Sequence, residues 1–86
     1  RGVAIGDEAA SSSTASTVTA IGALAGRLAG TSSVHVGYGA GYSDSASNKL
    51  HIANNTTESL IEGDFSARTL QVNGDLTADN LDGGTF

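Results

Sequence analysis

The chain has 86 residues, a formal net charge of −5 at pH 7, 12 Gly, and no Cys, Met, Trp or Pro. A domain of this length buries only about 60% of the surface its unfolded chain exposes, and here 13 of the apolar residues are Ala while Leu, Ile, Val and Phe together number 18, which disfavours a self-sufficient compact monomer. A disulfide scaffold and a cysteine-ligated zinc site are excluded, clustered Lys and Arg for nucleic acid are missing, and no apolar run approaches the ~20 residues that cross a bilayer. Disorder competes on composition, but the β-branched residues are patterned and proline is absent. Chains that pool thin apolar faces by stacking repeats or by oligomerising satisfy both facts.

The first elements are repeats. A β-branched residue followed by glycine recurs as Ile5-Gly6, Ile21-Gly22 and Val36-Gly37, and an alanine follows three residues after each glycine, at Ala9, Ala25 and Ala40. Ser, Thr, Ala and Gly fill the stretches between. Each unit reads as a short strand, a turn at Gly6, Gly22 or Gly37, a small-residue return and a polar connection. On this reading Ile5, Ile21 and Val36 fill a narrow interior that Gly and Ala keep narrow. A helix over 20–29 competes, since Ile21, Leu24 and Leu28 have helical spacing, but Gly22 and Gly26 oppose it by ~1 kcal/mol each. His35 breaks the pattern where the other units have Ala4 and Ala20, so the stack is expected to end or loosen there. From the opening Arg1-Gly2, without Met, the chain is expected to be a piece of a longer protein.

After residue 47 the texture changes. The stretch 48–54 alternates Leu50 and Ile52 against Lys49 and His51, a half-buried strand. Asn54–Thr57 is a turn, and "SLIEGDF" a returning strand ended by Gly63-Asp64. Leu70, Val72, Leu76 and Leu81 surround Asn73-Gly74, a hairpin or bulge signal. Residues 48–79 thus read as a small β meander. Charge divides along the same line: residues 1–57 balance to zero, and residues 58–86 carry the whole −5.

The spaced "AIGxxA" units resemble the repeats of trimeric autotransporter adhesin heads and of phage tail fibres. The stretch "NKLHIANNTTESLIEGDFSARTLQVNGDLTADNL" resembles the tail-fibre and tailspike segment that precedes a C-terminal intramolecular chaperone. The resemblance implies an all-β, homotrimeric, left-handed parallel β-roll or β-solenoid over 1–47. A small β-rich trimeric segment over 48–86 follows, in an intertwined fibre, with the chaperone lying beyond Phe86. It implies a structural segment of a phage tail fibre or tailspike that contributes to host attachment, located in the virion. The alternatives are a bacterial trimeric adhesin head at the cell surface, or a non-catalytic part of a glycan-cleaving tailspike. Three chains would then share an apolar axis built from Ile5, Ile21, Val36, Leu50, Ile52, Leu60, Ile61, Leu70, Val72 and Leu76.

Catalysis is not expected. Ser, His and Asp are all present, but no G-x-S-x-G elbow groups them, and His35 and His51 read as surface or chain-contact residues. "GYGAG" at 37–41 lacks the lysine and helix of a phosphate loop, and the acidic spacing of Asp75, Asp79 and Asp82 matches no calcium repeat. Cofactor and metal are therefore expected to be none. Tyr38 and Tyr42 are candidates for stacking on a host cell-surface glycan, although packing between chains is the better reading of both. Turns are expected at Gly63 and Gly74 as well as at the repeat glycines.

Overall fold

Three-residue strands at constant intervals fold as the repeat predicts. The computed structural model describes residues 2–83; Arg1 and the end of the 48–86 segment lie outside the described residues. Strands β1 (Val3–Ile5), β2 (Thr19–Ile21) and β3 (Val34–Val36) are followed by β4 (Lys49–Ile52), β5 (Ile61–Asp64) and β6 (Thr69–Val72). All six lie side by side in chain order in one sheet, parallel from β1 to β4 and antiparallel from β4 to β6. The chain is all-β, with no helix and no span able to cross a membrane as a helix among the described residues.

Each parallel crossover returns the chain to the same register. Ile5 sits beside Ile21, Val36 and then Ile52, while Ala4 sits beside Ala20, His35 and His51. The returns between strands are themselves bonded to one another. Leu24 N–H donates to Asp7 C=O (2.9 Å), Ala10 N–H to Ala25 C=O (2.9 Å), Gly39 N–H to Ala23 C=O (2.9 Å) and Gly26 N–H to Ala40 C=O (2.8 Å). This second ladder satisfies backbone that an ordinary loop would leave to water.

The backbone explains why 20–29 is not helical. Gly22, Leu24 and Gly26 take φ of 127°, 61° and 58°, and left-handed residues at alternate positions cannot propagate a right-handed helix. The same sites recur as Gly6, Glu8 and Ala10 (127°, 59°, 54°) and as Gly37, Gly39 and Gly41 (110°, 67°, 63°). Only the first position of each set is always glycine, for two reasons. Its φ lies outside the left-handed well that Glu8 and Leu24 tolerate, and a Cβ on Gly22 would stand 2.7 Å from the Gly37 backbone.

Side-chain alternation divides the sheet into unlike faces. Ala20, Ala25, Ala29, Ala40 and Val18 form the buried apolar interior, joined by His35 and Ser33 at 0% exposure. Ile5, Ile21 and Val36 are on the opposite, outward face, which corrects the expectation that they fill the interior of the single chain: the space between the two ladders holds alanine-sized groups. Register carries this outward face across all six strands. Val3 and Ile5, Ile21, Val34 and Val36, Leu50 and Ile52, Ile61, and Leu70 and Val72 share it, interrupted only by Thr19 and Gly63. Ile5 is 57% exposed and Leu70 67%.

Three further expectations are corrected. The stack does not end or loosen at His35, because β3 pairs in parallel with β4; β4 is thus both the last parallel strand and the first strand of the meander. Gly63 is not a turn but pairs with Leu50 and Leu70 inside β5. The hairpin lies at 65–68 rather than at Asn73-Gly74, and strand pairing stops at Val72.

Candidate functional site

The position that is alanine in the first two repeats is histidine in the next two. Strand register therefore stacks the His35 ring on that of His51, with centroids 5.2 Å apart and planes inclined by 10°. His51 is the only one of the pair with partners. Its Nδ1 lies 2.7 Å from Ser59 Oγ and its Nε2 lies 2.6 Å from Asp44 Oδ2. Asp44 comes from the return after β3, where its other oxygen accepts from Ala46 N–H at 2.9 Å. Ser59 lies near the end of the β4–β5 connection, whose loop is organised by Asn55 Oδ1 accepting from Thr57 N–H (3.0 Å) and Glu58 N–H (2.7 Å).

Protonation follows from these partners. Burial alone would raise the Asp44 carboxyl, but the hydrogen bond from His51, the Ala46 N–H and the neighbouring imidazoles hold it below the usual carboxylate range. An ionised carboxylate only accepts, so Nε2 of His51 carries the hydrogen and Nδ1 is left to accept the Ser59 hydroxyl proton. His35 has both ring nitrogens buried without a hydrogen-bond partner. Its pKa is pushed down to about 4, by burial first and then by the charge of His51, against a smaller opposing pull from Asp44. The stacked neighbour is thus uncharged at neutral pH.

Asp44, His51 and Ser59 all line an open cleft of about 1150 Å³, together with Tyr42, Ile52, Leu60, Glu62 and the polar loop 54–58. Ser59 is mostly buried, at 8% exposure. Asn73 braces the floor, its Nδ2 donating to Ser59 C=O (2.8 Å) and to Glu62 Oε2 (2.6 Å). Among the described residues no group of three His, Cys, Asp or Glu is disposed to hold a metal ion.

Of the residues singled out from sequence, Tyr42 lines this cleft and also receives the Arg27 guanidinium, 5.0 Å from its ring centre. Tyr38 is exposed and does not line it. Leu60 and Leu76 are exposed and lie outside the strands, whereas the other eight residues expected on an apolar axis share the outward sheet face. His35 and His51 are not surface residues, because strand alternation turns both inward. The Ser59–His51–Asp44 relay was not anticipated. One signal for its central member was present: Leu50-His51-Ile52 follows Val34-His35-Val36 by 16 residues, the repeat interval. Comparison with protein-family models, with curated proteins and with solved structures returns no match.

Proposed function

We propose that the chain is a structural fibre segment, a left-handed parallel β-roll passing into a short β meander, which assembles as a homotrimer and contributes to host attachment in a phage tail fibre or tailspike. The observation that carries the reading is the outward sheet face. Ten of its twelve strand positions are Val, Ile or Leu, and a continuous apolar surface of that kind marks an interaction site on a soluble protein. The occupant is a second and third copy of the same face, because the chain's own interior is already filled by alanine. Three sheets turned inward make a stiff rod whose apolar axis replaces the core each chain lacks. The resemblance of the repeats to trimeric fibres supplies the number three.

Native mass measurement in dilute neutral buffer tests this. A folded species of three chains is expected; a folded monomer or dimer overturns the reading.

A further inference from the structure

The Ser59–His51–Asp44 relay has no part in the fibre role, and it is more elaborate than burial of a histidine requires. The register position that His51 occupies is filled by alanine at Ala4 and Ala20, the second of them fully buried. The other imidazole of the stack, His35, is held with no hydrogen bond at all. His51 is held at both nitrogens, by a carboxylate on one side and a primary hydroxyl on the other, at 2.6 and 2.7 Å, and all three side chains line one cleft.

We propose that Ser59 is a nucleophile for acyl transfer, with His51 as its general base and Asp44 as the group that positions the imidazole. The geometry meets the requirement for an activated serine, namely a base within hydrogen-bond reach that is itself oriented by a third group. The imidazole is used in reverse relative to the familiar triad, with Nδ1 facing the hydroxyl and Nε2 the carboxylate. The proton relay is equivalent through either nitrogen. His35 contributes a flat, uncharged ring on which the imidazolium formed during reaction rests without repulsion.

The step balances without a cofactor. As Ser59 Oγ attacks an ester carbonyl carbon, its proton passes to His51 Nδ1, while the Nε2 proton stays on the Asp44 hydrogen bond. The tetrahedral intermediate collapses by breaking the bond to the leaving alcohol, which takes the proton from Nδ1 and departs. Water then attacks the acyl-serine, giving a proton to Nδ1, and the carboxylic acid leaves with the serine restored.

The cleft indicates the substrate class. Asn54, Asn55, Thr56 and Thr57 present amides and hydroxyls beside Tyr42, while Asp44, Glu58 and Glu62 make the surroundings anionic. A neutral hydroxylated alcohol carrying a short acyl ester fits; an anionic ester is repelled.

The test uses the wild-type chain, Ser59→Ala and Asp44→Asn, with circular dichroism and native mass as controls of fold and assembly. A fluorophosphonate probe is expected to add one adduct, placed on Ser59 by peptide mass spectrometry, which requires no variant. Hydrolysis of p-nitrophenyl acetate is expected above the buffer rate and to fall by at least roughly 10²-fold, toward that rate, in Ser59→Ala, which removes the nucleophile and with it the covalent route. Asp44→Asn is expected to lower kcat with little change in KM and to slow probe labelling. An adduct absent or on another residue overturns the proposal, as does a folded Ser59→Ala variant that hydrolyses the ester as fast as wild type.

Discussion

His35 is the largest side chain that the fold takes fully out of water, and it enters uncharged. In the folded chain it titrates at about 4, against an ordinary value of 6.5, so between those values the unfolded chain binds a proton that the folded chain refuses. Its contribution to stability is therefore intact above pH 6.5 and declines as pH falls toward 4. Of the charged groups near it, Asp44 titrates below this window, and His51 stays beside it in any variant at position 35. The drop between pH 7.5 and 4.5 is expected to be smaller in His35→Ala than in wild type by about 2–3 kcal/mol, read by urea denaturation. Equal drops in the two proteins would remove His35 as the cause. Alanine is the informative replacement because Ala20 occupies the equivalent interior site one repeat earlier. Sequence could not show that His35 is interior, since the room for its ring comes from elsewhere: Gly41 packs against it, and a Cβ there would overlap the imidazole.

At the level of elements, what was legible depended on whether a local residue carried the geometry. The β-branched residue and glycine that end β1, β2 and β3 are local, and they located all three strands. The fourth member of the series was disguised, because Ala53 stands where Gly37 would lead one to look for glycine. The β5–β6 hairpin was misplaced for a similar reason. Its left-handed residue is Arg68, at φ 61°, and its turn is held by Asp64 Oδ1 accepting from Ser66 N–H (2.9 Å) and Ala67 N–H (3.2 Å). Neither device carries the glycine signature that Asn73-Gly74 displays. The relay was illegible because its three residues come from a return, a strand and a connection that only the stacking brings together. Where glycine does carry the geometry, its replacement is expected to be severe. Gly22→Ala combines a φ that side chains avoid with a Cβ 2.7 Å from the next repeat's backbone, and should lower stability by about 2–4 kcal/mol in thermal or chemical denaturation. An unchanged midpoint would mean that the stack yields at that turn.

For the molecule as a whole, surface area argues that one chain is incomplete. A compact protein of this mass exposes about 4,650 Å², whereas this chain exposes 5589 Å², and its radius of gyration of 13.3 Å exceeds the ~12 Å expected for a globule of its length. The excess, roughly 900 Å², is comparable to the ~800 Å² that one partner contributes to a standard interface. Among the described residues, half of the exposed large apolar side chains, Val3, Ile5, Ile21, Ile52 and Leu70, gather on the outward sheet face. Ile52 lies well inside that face, is 38% exposed in the single chain, and faces away from the alanine interior. A glutamate there costs the isolated fold little, because water still reaches it. In a trimer packed through this face, three such carboxylates would meet in a dry interior without partners, at a cost of several kcal/mol per ion. Ile52→Glu is therefore expected to shift the native mass from three chains to one at micromolar concentration while leaving the β spectrum in place. Leu81→Glu, equally apolar but outside the sheet, should leave the mass unchanged. If Ile52→Glu stays fully assembled, the copies meet through some other surface, and the apolar face needs a different occupant.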